Sequence, residues 1–233
     1  MLKNYLYCFG MFVLCLIPPL LIAGTIKFKI GLSGEPFRKL LHTIAYLCPL
    51  FVLCFADSWI TADMVLISIA ALAYPFLCLA EKHKDFAPFF SQRRDGEVKS
   101  SLLQLFFGMS VLTAVCWGIF NKPFIVVAAV IMWGPGDAAA ALIGKRFGIH
   151  KIKLPLADKK KSWEGTLSFM VLSLVFGTIV LMLFGRIAFA KAILAAFITS
   201  VFGSYTELIT KGGYDTVTVP LVNAVILLAQ LYC

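Results

Sequence analysis

Three features of this chain carry residue types that could do chemistry: an aspartate inside an apolar run, a lysine triplet ahead of a serine, and two carboxylates flanking a Gly-Gly pair. Asp137 follows Gly134-Pro135-Gly136 and precedes Lys145, at the basic end of its run, by 8 residues, about 12 Å of helix rise. An isolated carboxylate at that depth costs several kcal/mol unless it is paired, hydrated or bound to a cation. Pro135 removes a backbone donor and the flanking glycines permit a break, so the segment is expected to open backbone polar groups around a wet pocket. Ala138 to Ala141, with Gly144 and Gly148, keep the wall thin enough for a partner helix or a ligand. Lys159, Lys160 and Lys161 precede Ser162, an N-cap for the next helix, with Glu164 in its first turn and Gly165 after it. Free N–H groups at a helix start and neighbouring ammonium groups make an anion site, and a triphosphate suits it. Further on, Glu207 lies near the end of an apolar run, Gly212-Gly213 turn the chain, and Asp215 opens the last run. Asp137, Glu207 and Asp215 together offer hard oxygen ligands to Mg²⁺, which usually bridges nucleotide phosphates. The structural alternative is a small-residue packing seam with Asp137 as a buried hydrogen-bonding group, and lysines that anchor lipid phosphate. No Gly-x4-Gly-Lys-[Ser/Thr] occurs, so the glycines do not form a Walker A loop.

Two further polar clusters lie elsewhere. Arg38 and His42 are four residues apart and share a helix face; Arg38 and Lys39 also suit membrane anchoring, while His42 sits inside an apolar run, where ionisable side chains face polar cavities. Glu97 and Lys99 lead directly into another apolar run, at the level of lipid head groups.

The elements that must position these residues follow from composition. The chain of 233 residues is 61% hydrophobic and 14% charged, with a mean hydropathy of +0.91, which excludes a soluble domain. Apolar runs near 5–26, 40–56, 60–80, 101–121, 123–144, 164–184, 187–209 and 216–232 predict an all-α polytopic bundle of about seven or eight spans. The runs at 40–56 and 216–232 are short enough to be tilted or re-entrant. The first run is read as a retained span and not a signal peptide, because of its length, Pro18-Pro19 and the lysines that follow. No linker or repeat divides the chain, so 1–233 is expected to be one membrane domain, with 134–166 as its nucleotide-binding region.

Of the 21 Lys and Arg residues, the loops 27–39, 81–100, 145–163 and 210–215 hold 4, 5, 7 and 1. The positive-inside rule makes these loops cytoplasmic, and all the polar clusters named above fall on that side. The net charge of +9 is then a topology signal and not a nucleic-acid footprint. The seven cysteines lie in or beside apolar runs without CxxC spacing, which supports neither a disulfide framework nor a zinc site.

The array Asp137-x2-Ala140-x3-Gly144-x3-Gly148, followed by Lys160-Lys161-Ser162-x-Glu164-Gly165, resembles the CTP-binding region of the polyprenol kinase family, which comprises dolichol kinase, phytol kinase and CTP-dependent diacylglycerol kinases. Arg38-Lys39-x2-His42, the Gly-Glu-Val-x-x-Ser of 96–101 and the Asp-x-x-x-Val-Pro of 215–220 are similar to the same family. The spacer between Gly148 and Lys160 is 11 residues, a few longer than the dolichol kinase pattern, and Ser162 replaces the more usual Thr. The resemblance implies transfer of the γ-phosphate of CTP, with Mg²⁺, to a membrane lipid alcohol at the cytoplasmic side of a membrane, a bacterial one on the compactness of the chain. It implies catalytic roles for Asp137, Glu164 and Asp215, and metal binding by Asp137, Glu207 and Asp215. It places Gly144, Lys145, Gly148, Lys160, Lys161, Ser162, Gly165, Arg38 and Lys99 around the nucleotide. His42, Glu97 and Glu207 fall near the lipid head group or behind the first contacts, and Glu164 either orients a lysine or accepts the hydroxyl proton. Phosphatidate cytidylyltransferases share the motif in broad form but carry a Pro-Gly-His-Gly-Gly run that is missing here. A cation-coupled transporter is the alternative outside enzymes; it needs polar access from both faces, whereas the outer half of every span reads as almost unbroken apolar sequence.

Overall fold

A computed structural model describes residues 1–84, 86–92, 94–154, 157 and 161–232. Among them the chain is all-α: α1 (Leu2–Ile30), α2 (Gly34–Phe55), α3 (Trp59–Ala80), a short α4 (Phe86–Phe90), α5 (Glu97–Leu112) running on into a π-helical stretch (Thr113–Ile119), α6 (Pro123–Phe147), α7 (Trp163–Leu183), α8 (Phe189–Ile209) and α9 (Asp215–Tyr232). Eight of these helices, with α5 and its extension counted as one, are long and apolar enough to cross a membrane. They coincide with the eight apolar runs. The two short runs are full helices of 22 and 18 residues, about 33 and 27 Å of rise, because polar residues at their ends extend them beyond the apolar stretch.

The chain divides into two compact units, Met1–Ala114 and Val115–Cys233, a boundary inside a continuous helical stretch that no polar linker announces.

In the first unit, the amide of Asn4 donates to Phe55 O (3.1 Å) and its carbonyl accepts from Asp57 N (3.2 Å), fastening the start of α1 to the α2–α3 turn. The Tyr5 hydroxyl donates to Ser68 Oγ (2.9 Å), which joins α1 to α3. Ser58 caps α3 by accepting from Thr61 N (3.3 Å). One helix departs from the apolar expectation: Asp63, in the second turn of α3, hydrogen-bonds Ser110 of α5. Its i±3 and i±4 neighbours are apolar or small, so the sequence alone hides the partner on another helix.

In the second unit α6 and α7 pack backbone to backbone. A Cβ on Gly136 would stand 3.0 Å from the Phe169 ring, and one on Gly165 would stand 2.9 Å from Ala140 O. Close approach of this kind is how apolar helices associate where burial from water offers no driving force. The expected break at Pro135 is absent: α6 runs unbroken from Pro123 to Phe147. Proline costs one ladder bond, whereas opening the helix would strand several backbone groups in an apolar surround, so the helix continues. Asn223, fully buried on α9, donates to Ala129 O of α6 (3.1 Å) and ties the last helix to the centre of the unit.

Candidate functional site

The α6–α7 connection determines the site. Beyond Phe147 the chain turns back on itself: Ile152 N donates to Lys161 O (3.1 Å) and Trp163 N donates to His150 O (3.0 Å), an antiparallel bridge centred on Lys151 and Ser162. Ile152 and Ala157 turn inward onto Leu208 at the end of α8. The connection is therefore laid over the residue before Leu208, which is Glu207.

Glu207 is 5% exposed. Lys161 Nζ donates both to its Oε1 and to its backbone carbonyl, so the lysine is held at two points on one residue. The other oxygen, Oε2, is buried and has no hydrogen-bond partner among the described residues. Asp137, 5% exposed on α6, and the half-buried Asp215 at the start of α9 both lie close enough for their charges to act on Glu207. Residues from α6, the connection, α8 and α9 thus converge at one end of the second unit. Desolvating several carboxylates together is costly, so the arrangement favours a cation beside them.

That bears on Mg²⁺. No group of three His, Cys, Asp or Glu side chains is gathered tightly enough to hold a metal among the described residues, so Asp137, Glu207 and Asp215 form no all-protein cage. Mg²⁺ seldom needs one: it usually takes one or two carboxylates and completes its shell with water and substrate phosphates. The unused Glu207 Oε2, with the charge of Asp137 near it, fits that partial mode.

The residues of the expected phosphate cradle lie close together. Ser162 is buried and caps α7, its Oγ accepting from Gly165 N (3.3 Å). A Cβ on Gly148 would lie 2.1 Å from Gly144 O and 2.5 Å from Ser162 Oγ, and one on Gly165 would lie 3.2 Å from Gly144 Cα. Gly144, Gly148, Ser162 and Gly165 therefore close on one another. Their smallness lets α6, the connection and α7 meet, and the Ser162 hydroxyl is taken up by the helix start. Lys145 is exposed on the last turn of α6, while Lys160 lies outside the described residues.

Glu164 orients no lysine among the described residues. Its Oε1 is 2.7 Å from His150 Nδ1 and accepts from His150 N (3.1 Å), so it clasps the returning connection to the first turn of α7. His150 went unnoticed as a site residue because its partner is 14 positions away across a loop.

The remaining sequence candidates belong to the first unit. Arg38 bonds Glu35 Oε1 on its own helix and Glu97 Oε1 on α5 (3.3 Å). Lys99 Nζ bonds Glu81 Oε2 (2.9 Å) and lies 5.9 Å from the Tyr74 ring centroid. Glu97 and Lys99 are thus paired with Arg38 and Glu81, and two paired charges cost less than two lone ones near an apolar phase. His42 sits edge-on to the Tyr46 ring (6.4 Å).

Comparison with known proteins gives one informative likeness. The chain is 35% identical over 141 residues to a phytol kinase from Synechocystis sp., an alignment that takes in 55% of this chain and 54% of that protein. The chain thus matches about half the length of this curated relative. No family model matches the chain, and no solved structure does.

Proposed function

We propose that the chain is a CTP-dependent lipid kinase, moving the γ-phosphate of CTP to the hydroxyl of an isoprenoid alcohol such as phytol or a polyprenol, or of diacylglycerol. The likeness to phytol kinase is the observation that carries this reading. The convergence of Asp137, Lys161, Glu207 and Asp215 at one end of the second unit supports it.

The alcohol oxygen forms a bond to the γ-phosphorus while the bond from that phosphorus to the β–γ bridging oxygen breaks, and CDP leaves with the electron pair. Such transfer depends on positioning and charge neutralisation more than on covalent help from the protein. Asp137 and Glu207, with Asp215 nearby, would hold Mg²⁺, which would supply charge neutralisation at the phosphates. Lys161, moored on Glu207, presents an ammonium to the phosphates, and exposed Lys145 lies on the same end of α6. Glu164, bonded to His150, fixes the connection that carries Lys161 and is a positioning residue in this scheme. The hydroxyl proton passes to a carboxylate of the cluster, Asp215 being the one most open to a substrate arriving from the membrane.

Read as eight spans, the helices put the loops after α1, α2, α3, α5 with its extension, α6, α7 and α8 alternately on the two membrane sides. The connections 31–33, 81–96, 148–162 and 210–214 therefore share one side, which positive charge marks as cytoplasmic. The membrane is read as a bacterial cytoplasmic one.

The test is an assay in membranes with CTP labelled separately at the γ- and α-phosphates, offering phytol, a polyprenol, diacylglycerol and phosphatidate. The proposal expects γ-label on an alcohol, dependent on Mg²⁺. Transfer of α-label to phosphatidate would instead make the chain a cytidylyltransferase, and no transfer to any lipid would overturn the enzyme reading.

A further inference from the structure

Between Ala138 and Ala157 the chain carries no Asp or Glu, yet it carries Lys145, Arg146, Lys151 and Lys153. The fold sorts this stretch into two directions. In the extended run Lys151-Ile152-Lys153, Ile152 turns in to the cluster with Leu208, so alternation along the backbone sends both lysines outward, and both are exposed. The bridge between Lys151 and Ser162 brings the start of this run beside the start of α7. Large apolar side chains gather there in the open: Ile149 is 81% exposed and Trp163 57%, with Phe147 and Leu154 exposed nearby. The Arg146 guanidinium lies over the Phe147 ring, 5.2 Å from its centroid.

Apolar side chains this exposed on an aqueous tip would be a liability; α6 and α7 are each long and apolar enough to span a membrane, and as spans they would leave it here, with the tip at the bilayer surface. Basic residues interleaved with aromatic and aliphatic ones are the composition that seats in an anionic lipid interface, the apolar groups among acyl chains and the cations at phosphates. We propose that the outward face formed by Arg146, Phe147, Ile149, Lys151, Lys153 and Trp163 is a docking surface for anionic phospholipid head groups of the surrounding leaflet. The inference is independent of the kinase reading, since none of these residues belongs to the Asp137–Glu207 cluster.

The full chain, purified in mild detergent, is mixed with equimolar phosphatidylglycerol and phosphatidylcholine, and the retained lipids are counted by native mass spectrometry. The expected result is preferential retention of phosphatidylglycerol that falls about fivefold for each of Arg146→Gln, Lys151→Gln and Lys153→Gln, the factor equivalent to ~1 kcal/mol per basic residue near an anionic surface. Lys122→Gln, Arg186→Gln and Lys191→Gln, at the other end of the same unit, should leave retention unchanged. Added inorganic phosphate should weaken retention no more than sulfate at the same ionic strength. Equal retention of the two lipids by the unaltered chain would overturn the proposal, whatever the variants do. So would a preference untouched by the three substitutions, or one abolished selectively by phosphate, which would mark a free-anion site.

Discussion

The two units carry charge at their polar ends in opposite ways. In the first, two cations hold three acids: Arg38 lies between Glu35 and Glu97, and Lys99 holds Glu81. In the second, Lys161 holds Glu207, one oxygen of that glutamate has no hydrogen-bond partner among the described residues, and the charges of Asp137 and Asp215 reach it. Paired charges fix helices to one another and leave little field over for a ligand. A buried carboxylate with an unused oxygen is poised for a cation that arrives with its substrate. On the proposed reading, pairing tells the cluster that staples helices within the first unit from the cluster that would bind a cation in the second.

The largest effect that would sharpen this contrast is at Asp137. Asp137→Asn keeps the shape and removes the charge, and γ-phosphate transfer is expected to fall ~10²–10⁴-fold, the equivalent of losing several kcal/mol of charge stabilisation. Arg38→Gln in the first unit should instead cost stability, ~1–3 kcal/mol for leaving buried Glu35 underpaired, read as a lower melting temperature with transfer reduced less than tenfold. If Arg38→Gln removed activity as thoroughly as Asp137→Asn while the fold stayed intact, the division between stapling and binding units would be broken.

Next in size is the seam. Gly165→Ala drives a methyl group to within 2.9 Å of Ala140 O and is expected to destabilise the chain by ~1–3 kcal/mol, measurable by thermal unfolding in detergent. A phosphate-cradle role for Gly165 would show as a raised KM for CTP at unchanged melting temperature, and would restore the reading of these glycines as ligand wall.

Smallest is the clasp. His150→Ala removes one exposed partner of Glu164 and should leave the melting temperature nearly unchanged, while limited proteolysis within 148–162 becomes faster. A proteolysis rate equal to that of the unaltered chain would mean that the bridge and the Ile152–Leu208 contact hold the connection without it.

How far the sequence reaches is visible in particular residues. All eight helices were legible, because hydropathy over some twenty residues is a direct consequence of bilayer thickness. That Asp137 lies inside an apolar helix was legible for the same reason. The pairs that decide its surroundings were not: Lys161 and Glu207 are 46 positions apart and Arg38 and Glu97 are 59. Pro135 misled, since the tolerance of a helix for proline depends on what surrounds it and not on the proline. Gly144, Gly148 and Gly165 were ambiguous in principle, because room for a ligand and room for a helix demand the same residue.

The most direct measurement is divalent-cation binding to the full chain in detergent with CTP present, using Mn²⁺ as a paramagnetic reporter for Mg²⁺ and comparing Glu207→Gln with Arg38→Gln. The account predicts a bound Mn²⁺ signal that Glu207→Gln abolishes or weakens at least tenfold and Arg38→Gln leaves in place. A signal retained in Glu207→Gln, or lost in Arg38→Gln, would contradict the assignment of the cation to the second unit.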